Sequence, residues 1–406
     1  MELSHKAAAS NLDASKMAFL PNLNASGGQN WNFGRTQGQS GLYENQTQSN
    51  TSLSVGTSVP LFQGGYLLNS VSKSKLDLQA AFLNIEKAKN DISLQVTSLF
   101  FQVLFQKEIL KIAQEQFHTT QQQVAATAIL VESGKVSQSQ WFDISSQAAK
   151  DTLDVVQASG NLKLSLLDLA QALELQDIED FDIESPEIHA SANDGENANS
   201  TIRSFESLRL SDIYNQAVGA MPEVKSQELS VKSAEKSLKI AQSAYYPSIS
   251  LSAGIGTNYF YLYNNNLQNL TFKKQMNLNL GKYIGLNLNI PIFNRLSVLN
   301  QTNQAKFNIE NQKLILENTK KQLYKDIQTA YINANLAQEK QSAATQAVRA
   351  AQEAFRYATE RYASGKLSVF EYSQSQAQLS QAQSEEAQAK YDYMLKIKIL
   401  EFYTQQ

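Results

Sequence analysis

The side chains that most often carry catalysis or bind metals are few and far apart in this sequence. The three histidines are His5, His118 and His189, and none of the 406 residues is cysteine. Without cysteine the chain has no disulfide framework, no thiolate metal site and no thiol nucleophile. The histidines also lack the short spacing of zinc-ligand motifs. We therefore predict no catalytic residue, no metal site and no cofactor, and we expect a protein that is not an enzyme.

Two further segments resemble ligand-binding motifs but lack residues that those motifs require. Gly64 and Gly65 follow a predicted strand, but no Lys-Ser/Thr signature of a phosphate-binding loop comes after them. The acidic stretch 177–187 lacks the ligand spacing and the central glycine of a calcium-binding loop. The net charge is −3 and the pI is near 5.8, so we expect no basic surface and no nucleic-acid partner.

The dominant feature of the sequence is an internal repeat. Thr-Ser-Val-Pro-Leu-Phe ends at Phe62 and Leu-Asn-Ile-Pro-Ile-Phe ends at Phe293. Glu-Ser-Gly-Lys-Val-Ser ends at Ser137 and Ala-Ser-Gly-Lys-Leu-Ser ends at Ser368. The members of each pair are 231 residues apart, so the segment between the two landmarks has the same length in both halves. Because loops tolerate insertions, this equal length predicts a rigid rod.

The rods are predicted to be long helices. Residues 66–131 and 296–362 contain neither glycine nor proline. Their apolar residues recur every three or four positions, as they do in helices that pack side by side. Each helix would be about 100 Å long at ~1.5 Å per residue. Further helical patterns follow over 136–175 and 367–403, so each half is predicted to contain an antiparallel helical hairpin.

The tips of these hairpins are predicted at the repeated Ser-Gly-Lys sequence. Gly134 and Gly365 suit the left-handed position that follows the last turn of a helix. Lys135 and Lys366 come next and lie in the turns.

The periodicity changes from helical to alternating in the windows 21–62 and 247–293. Aliphatic residues and tyrosine alternate there with serine, asparagine and glycine, which predicts two β-hairpins joined by the polar loops 34–50 and 264–276. One apolar and one polar face is typical of transmembrane barrel strands. A soluble β-sandwich with its apolar face inward is the alternative. The strands are predicted over 22–33, 53–61, 248–263 and 284–292.

Aromatic residues cluster near the loop ends of these strands, where a transmembrane barrel carries its interfacial girdle. The predicted girdle is Trp31, Phe33, Tyr259, Tyr261 and Tyr263. Four strands cannot close a barrel, whose smallest usual size is about eight, and lipid does not tolerate open sheet edges. Other copies must therefore complete the sheet. Two copies would supply about eight strands, and three about twelve together with a ring of helices.

The repeat predicts three parts of the chain. Residues 1–175 form a first structural repeat, with a truncated helix, β-hairpin 21–62 and helical hairpin 66–175. Residues 176–209 form an acidic, irregular equatorial linker. Residues 210–406 form a second repeat, with a helix, β-hairpin 247–293 and helical hairpin 296–403. Residues 210–226 have no counterpart in the first half, so we expect a signal peptide and part of the first helix to precede residue 1.

The order of these segments and their motifs resemble the TolC-type outer-membrane efflux protein family over essentially the whole chain. Each motif is loose by itself, but the strand-flanking motifs occur in this order twice. The matching motifs are Phe-Leu-Pro-Asn-Leu at 19–23, Val-Pro-Leu-Phe at 59–62, Ala-Tyr-Tyr-Pro-Ser-Ile at 244–249, Ile-Pro-Ile-Phe at 290–293, Ala-Tyr at 330–331, Arg-Tyr-Ala-Ser-Gly at 361–365 and Gln-Ser-Gln-Ala-Gln at 374–378.

The resemblance implies a homotrimer in the Gram-negative outer membrane that extends into the periplasm. In such a trimer the fold is mainly α with transmembrane β: long helical hairpins form an α-barrel tunnel, and four strands per chain contribute to a shared 12-stranded β-barrel in lipid. The implied function is a passive exit duct of a tripartite efflux or type I secretion system. Its implied partners are a periplasmic adaptor and an inner-membrane transporter. A soluble coiled-coil scaffold and a pore-forming toxin are the alternatives.

The resemblance also places a closed periplasmic aperture at the tips, within 131–143 and 362–374. Tyr362 matches a tyrosine that family members often carry before the second tip glycine, and Glu371 matches an acidic ring. Leu367 and Gln140 stand where the family can carry Arg and Asp, and Gln374 replaces a second acidic position. The residues of the family's particular lock are therefore incomplete here, and cation preference at the aperture would rest on Glu371 alone. Glu371 is alternatively a solvated surface carboxylate.

Overall fold

The computed structural model describes residues 1–37, 43–45, 47–176, 181–184, 210–263 and 269–404. The chain is divided into two compact units, one of residues 1–85 and 225–318 and the other of residues 86–224 and 319–406. Each unit takes residues from both halves of the sequence. The division into two structural repeats stays an interpretation of the sequence.

The described chain is mainly helical, as predicted. Two helices of 67 residues each occupy the spans that lack glycine and proline. The helices are α1 (Glu2–Met17), α2 (Tyr66–Glu132), α3 (Gln138–Ala172), α4 (Leu210–Ala220), α5 (Pro222–Ser243), α6 (Phe272–Leu278), α7 (Ser297–Ala363) and α8 (Val369–Thr404). The strands are β1 (Asn22–Asn32), β2 (Arg35–Gln37), β3 (Tyr43–Asn45), β4 (Gln48–Gln63), β5 (Ser248–Leu262) and β6 (Gly281–Asn289).

The main sheet of the first unit is antiparallel, with the strand order β1-β4-β5-β6. Val55 lies opposite Ala25 on one side and Ile255 on the other, so these three residues share a face. The same face carries Ile284 and Leu286 on β6, which are 82% and 65% exposed. The opposite face carries serine, asparagine and glycine, together with the aromatic residues Phe260 and Tyr283. The predicted division of the sheet into an apolar and a polar face is confirmed.

The predicted end of the last strand is wrong. The alternating pattern predicts a strand over 284–292, but β6 runs from Gly281 to Asn289. Asn289 pairs with Ser248, the first residue of β5, so within the described sheet the residues beyond it have no strand to pair with. Pro291 also lacks the N–H that a ladder requires. Ile292 is consequently 95% exposed.

The two connections predicted as polar loops contain regular structure. The first, 34–50, holds the small hairpin of β2 and β3 and the start of β4 at Gln48. The second, 264–276, holds the beginning of α6. Residues 38–42, 46 and 264–268 of these predicted loops lie outside the described residues.

Each strand-to-rod junction uses two successive left-handed residues. In the first half they are Gly64 and Gly65, with φ of +59° and +83°. The equivalent residues of the second half are Arg295 and Leu296, with φ of +55° and +62°. A Cβ on Gly64 would lie 2.5 Å from the carbonyl oxygen of Ser243, so glycine is required there for space as well as for conformation. The second junction has the same geometry without glycine.

The second unit is built from packed helices. Ala330 and Ala334 of α7 pack with Leu400 of α8, and Ala337 of α7 packs with Tyr393 of α8. Small residues on α7 let the two helices approach closely, as their alanine-rich sequences suggest. Among the described helices, none is apolar enough over its length to cross a lipid bilayer.

Most of the predicted acidic linker, 177–180 and 185–209, lies outside the described residues. In the part that is described, Asp182 forms an ion pair of 2.7 Å with Lys107 of α2. Lys107 also donates a hydrogen bond to the carbonyl oxygen of Ile183. The hydrogen bond from Lys107 holds the pKa of Asp182 below its usual value. This segment is therefore attached to α2 by charge.

Candidate functional site

The tips of the two helical hairpins have the same backbone geometry. At each tip the glycine N–H donates to the carbonyl three residues earlier and the lysine N–H donates to the carbonyl five residues earlier, all at 2.9 Å. This Schellman arrangement requires a left-handed glycine, and φ is +70° at Gly134 and +71° at Gly365. Lys135 and Lys366 are exposed in the turns. The left-handed glycines are thus present where the sequence places them.

The tips differ in how the next helix begins. Ser368 precedes α8 and forms a capping box with Glu371: the Ser368 N–H donates to the Glu371 carboxylate at 3.0 Å, and the Glu371 N–H donates to the Ser368 hydroxyl at 3.2 Å. Ser137 and Gln140 hold the equivalent positions at α3, where the Ser137 side chain makes no capping hydrogen bond. The second tip therefore has the better-capped helix.

The capping box also determines the electrostatics of Glu371. The carboxylate is exposed and accepts hydrogen bonds from both the backbone N–H and the hydroxyl of Ser368. The bond from the backbone N–H is the main reason that the pKa of Glu371 is below its usual value. Glu371 thus carries a negative charge at the tip while it holds the start of α8.

Tyr362 belongs to a row of aromatic rings at the second tip. Its ring centroid lies 4.9 Å from that of Tyr372, whose own centroid lies 5.4 Å from that of Phe355. Tyr372 is only 3% exposed, and its burial raises the pKa of its hydroxyl. The sequence analysis missed Tyr372. Its position on α8, seven residues after Gly365, could have indicated that it faces α7 across the tip.

The predicted girdle residues lie at one end of the main sheet. Trp31 of β1 and Tyr261 of β5 stand on either side of Ser49 of β4, so they share a face and a level. The rings of Tyr261 and Tyr263 are 5.0 Å apart. Trp31 is 56% exposed and Phe33 is 77% exposed. The fifth predicted residue, Tyr259, instead has its ring 5.0 Å from that of Phe272 on α6.

β6 pairs with β5 only as far as Gly256. Beyond that residue, side-chain amides bond to the backbone of β5 in place of a strand. Gln275 of α6 is 4% exposed; it accepts a hydrogen bond from the Phe260 N–H at 3.0 Å and donates to the Phe260 carbonyl at 2.8 Å. Asn269 makes the same pair of bonds with Leu262, at 2.9 and 2.7 Å. Asn279 donates to the carbonyl of Asn258 at 2.7 Å. These amides occupy backbone groups that a further strand would need.

Each of the two described histidines contacts a side chain within its own unit. The ring of His5 is 6.3 Å from that of Phe82, and His118 is 3.0 Å from the amide of Gln122 on the same helix. His189 lies outside the described residues. Within the described ranges there is no group of three or more His, Cys, Asp or Glu side chains placed to hold a metal ion.

The sequence matches the outer membrane efflux protein family over residues 1–174 and 213–399. The match thus includes both helical hairpins and both pairs of strands. A comparison with curated protein sequences gives no match.

Solved outer-membrane channels have a similar structure. The CmeC outer membrane channel of Campylobacter jejuni has a TM-score of 0.76 at 16% identity, over 99% of this chain and 81% of CmeC. VceC, an outer membrane protein of Vibrio cholerae, has a TM-score of 0.76 at 14% identity, over 99% of this chain and 91% of VceC. CusC, studied for transmembrane channel formation, has a TM-score of 0.76 at 18% identity, over 99% and 87%. At these identities the likeness concerns the fold.

Proposed function

Because the chain belongs to the outer membrane efflux protein family, we propose that it is the passive exit duct of a tripartite efflux or type I secretion system. The protein is an outer-membrane channel of the Gram-negative type and extends into the periplasm. In the proposed assembly an inner-membrane transporter supplies the energy and a periplasmic adaptor joins it to this chain. Family membership favours the channel over the soluble scaffold and the pore-forming toxin.

The observation that carries the proposal is the open main sheet. In the described residues β1 and β6 each pair with one strand only, so both edges of the four-stranded sheet are available. The apolar face is exposed along β6, where Leu286 is 65% and Leu288 is 59% exposed. Lipid can cover that face, but lipid cannot satisfy the unpaired edges. Three copies joined edge to edge would close a barrel of about 12 strands.

Native mass spectrometry of the protein in detergent tests this assembly. We expect three copies per particle, with heat required to separate them. A stable monomer whose β1 and β6 backbone amides are protected from hydrogen exchange would contradict the shared barrel, since the sheet would then need no partner.

The helical tips are proposed to form the periplasmic aperture and the surface that meets the adaptor. Both tips have the same turn, and Lys135 and Lys366 are exposed in these turns. Single cysteines at these positions give a clean crosslinking test, because the chain has no other cysteine. We expect crosslinks to the adaptor from the tips. Crosslinks from cysteines at Arg35 or Tyr43 instead would place the adaptor at the predicted loop 34–50 and would contradict the proposal.

Glu371 is proposed to form a ring of negative charge at the aperture of the trimer. Three carboxylates around a narrow opening concentrate cations. Glu371→Gln retains a side chain that can accept the Ser368 N–H, so it removes the charge with little change to the capping box. We expect this variant to lose cation selectivity in planar bilayers at low salt. Glu132→Gln removes a charge beside the first tip and should change selectivity less; equal effects would show that Glu371 does not line the opening.

A further inference from the structure

A cavity in the second unit contains a buried carboxylate with an unsatisfied oxygen. The cavity lies among α2, α3 and α8 and has a volume of about 250 Å³. Asp151, which lines it, is 1% exposed. Its Oδ1 accepts hydrogen bonds from Gln116 at 3.0 Å and Gln147 at 2.9 Å. Its Oδ2 is buried and has no hydrogen-bond partner in the described structure.

The rest of the lining combines oxygen-bearing side chains with four apolar residues, Ile109, Ile112, Ala113 and Ala158. Asp154 lies on the same helix and is exposed, so the cavity reaches solvent on that side. The hydroxyls of Ser380 and Ser384 come from α8, and amide side chains come from Gln157 and Asn161. Among the described residues, no Lys or Arg lines this cavity. An ionised carboxylate is costly to bury without a compensating partner.

The internal repeat supplies a natural comparison. A second cavity lies between α7 and α8, and each of its eight lining residues is 231 positions after a lining residue of the first cavity. There the position of Asp151 is occupied by Ala382, and the position of Ile109 by Lys340. The second cavity thus has a cationic side chain and lacks the buried aspartate. The first has the aspartate and lacks the cation.

The carboxylates of the second cavity also have partners. Glu385 accepts a hydrogen bond from Gln381 at 3.0 Å, and Asp392 forms an ion pair with Lys396 at 3.5 Å. Two equivalent cavities therefore differ in how their negative charge is compensated. In the second cavity, side chains of the protein compensate the negative charge of the carboxylates. In the first cavity, Oδ2 of Asp151 has no such partner.

We propose that the cavity at Asp151 binds a divalent cation of the calcium type. Calcium takes carboxylate, amide and hydroxyl oxygens, and it accepts irregular geometry and retained water. A volume of about 250 Å³ has room for an ion and several waters at ~30 Å³ each. Asp151 provides the buried ligand, and Asp154 stands at the entrance from solvent. The ion joins three helices of the second unit and is distinct from any cation at Glu371.

Calcium titration of the full chain in detergent, after chelator treatment and its removal, tests the site. We expect one calcium ion per chain whose binding depends on Asp151, and a loss of affinity of at least about tenfold in Asp151→Asn. Asp168→Asn removes an exposed charge from the same helix outside the cavity and should bind as wild type does. Calcium should raise the Tm of wild type but not of Asp151→Asn. Binding that is absent, or equal in Asp151→Asn and wild type, overturns the proposal.

The repeat provides a second variant that retains Asp151. Ile109→Lys places in the first cavity the cation that Lys340 provides in the second, so it should abolish the Asp151-dependent binding. Ile129→Lys adds the same charge at an exposed position of α2 outside the cavity and should leave binding unchanged. Calcium binding that is equally strong in Ile109→Lys and Ile129→Lys would overturn the assignment to this cavity, even if Asp151→Asn failed to fold.

Discussion

Gly64 and Gly134 both have a left-handed backbone, but at Gly64 a side chain would also meet a close neighbour. A Cβ on Gly64 would lie 2.5 Å from the Ser243 oxygen, whereas a Cβ on Gly134 would have no neighbour within 4 Å. We expect Gly134→Ala to lose about 1 kcal/mol of stability from left-handed strain. Gly64→Ala should lose about 2–4 kcal/mol, because the junction must also move. Thermal unfolding in detergent measures both, and equal losses would contradict the close approach at Gly64.

The capping box at Glu371 predicts a pH dependence at the same scale. The pKa of Glu371 is lowered in the folded chain, so the cap is fully present above the ordinary value of 4.5 and is lost as pH falls through the lower folded value. Hydrogen exchange of the first amides of α8, measured relative to the intrinsic rate at each pH, should therefore accelerate below about pH 4.5. In Glu371→Gln this acceleration should disappear, and in Glu371→Ala exchange should be fast throughout. An acceleration that survives in Glu371→Gln would assign it to another group.

At the scale of elements, the end of β5 depends on side chains in place of a strand. Gln275→Ala would leave the Phe260 N–H and carbonyl without their partners, which costs about 1–3 kcal/mol. We expect lower thermal stability and faster hydrogen exchange at Phe260. Lys274→Ala changes an exposed residue of the same helix and should alter neither. Unchanged exchange at Phe260 in Gln275→Ala would mean that water replaces the amide without cost.

At the scale of the whole molecule, the open edges predict contacts between copies. A cysteine at Ala25 of β1, combined in turn with a second at Ile284, Leu286 or Leu288 of β6, should give disulfide crosslinks between chains for at least one pair. All four positions lie on the apolar face. Denaturing gels should then show a ladder that ends at three chains. Crosslinks confined to single chains would mean that the sheet closes on itself.

The sequence by itself determined the features that depend on neighbouring residues. The absence of glycine and proline over 66–131 predicted α2, which runs from Tyr66 to Glu132. The Ser-Gly-Lys turns predicted the left-handed Gly134 and Gly365, because a Schellman turn is completed within six residues. Alternation predicted which residues of the strands share a face. These signals are local, and the family resemblance then identified how the elements combine.

Tertiary structure decided the features that depend on partners distant in sequence. β6 ends at Asn289 because its neighbour β5 begins at Ser248. The alternation of residue types around Pro291 carries no information about where that neighbour begins. Leu296 adopts the left-handed conformation of its counterpart Gly65 at the first junction, although its residue type argues against it. The residues next to Asp151 in the sequence do not distinguish it from any other acidic residue on a helix. Only the packing of α2 and α8 around it buries its carboxylate and leaves Oδ2 unpaired, because burial depends on residues that are adjacent in space and remote in the chain.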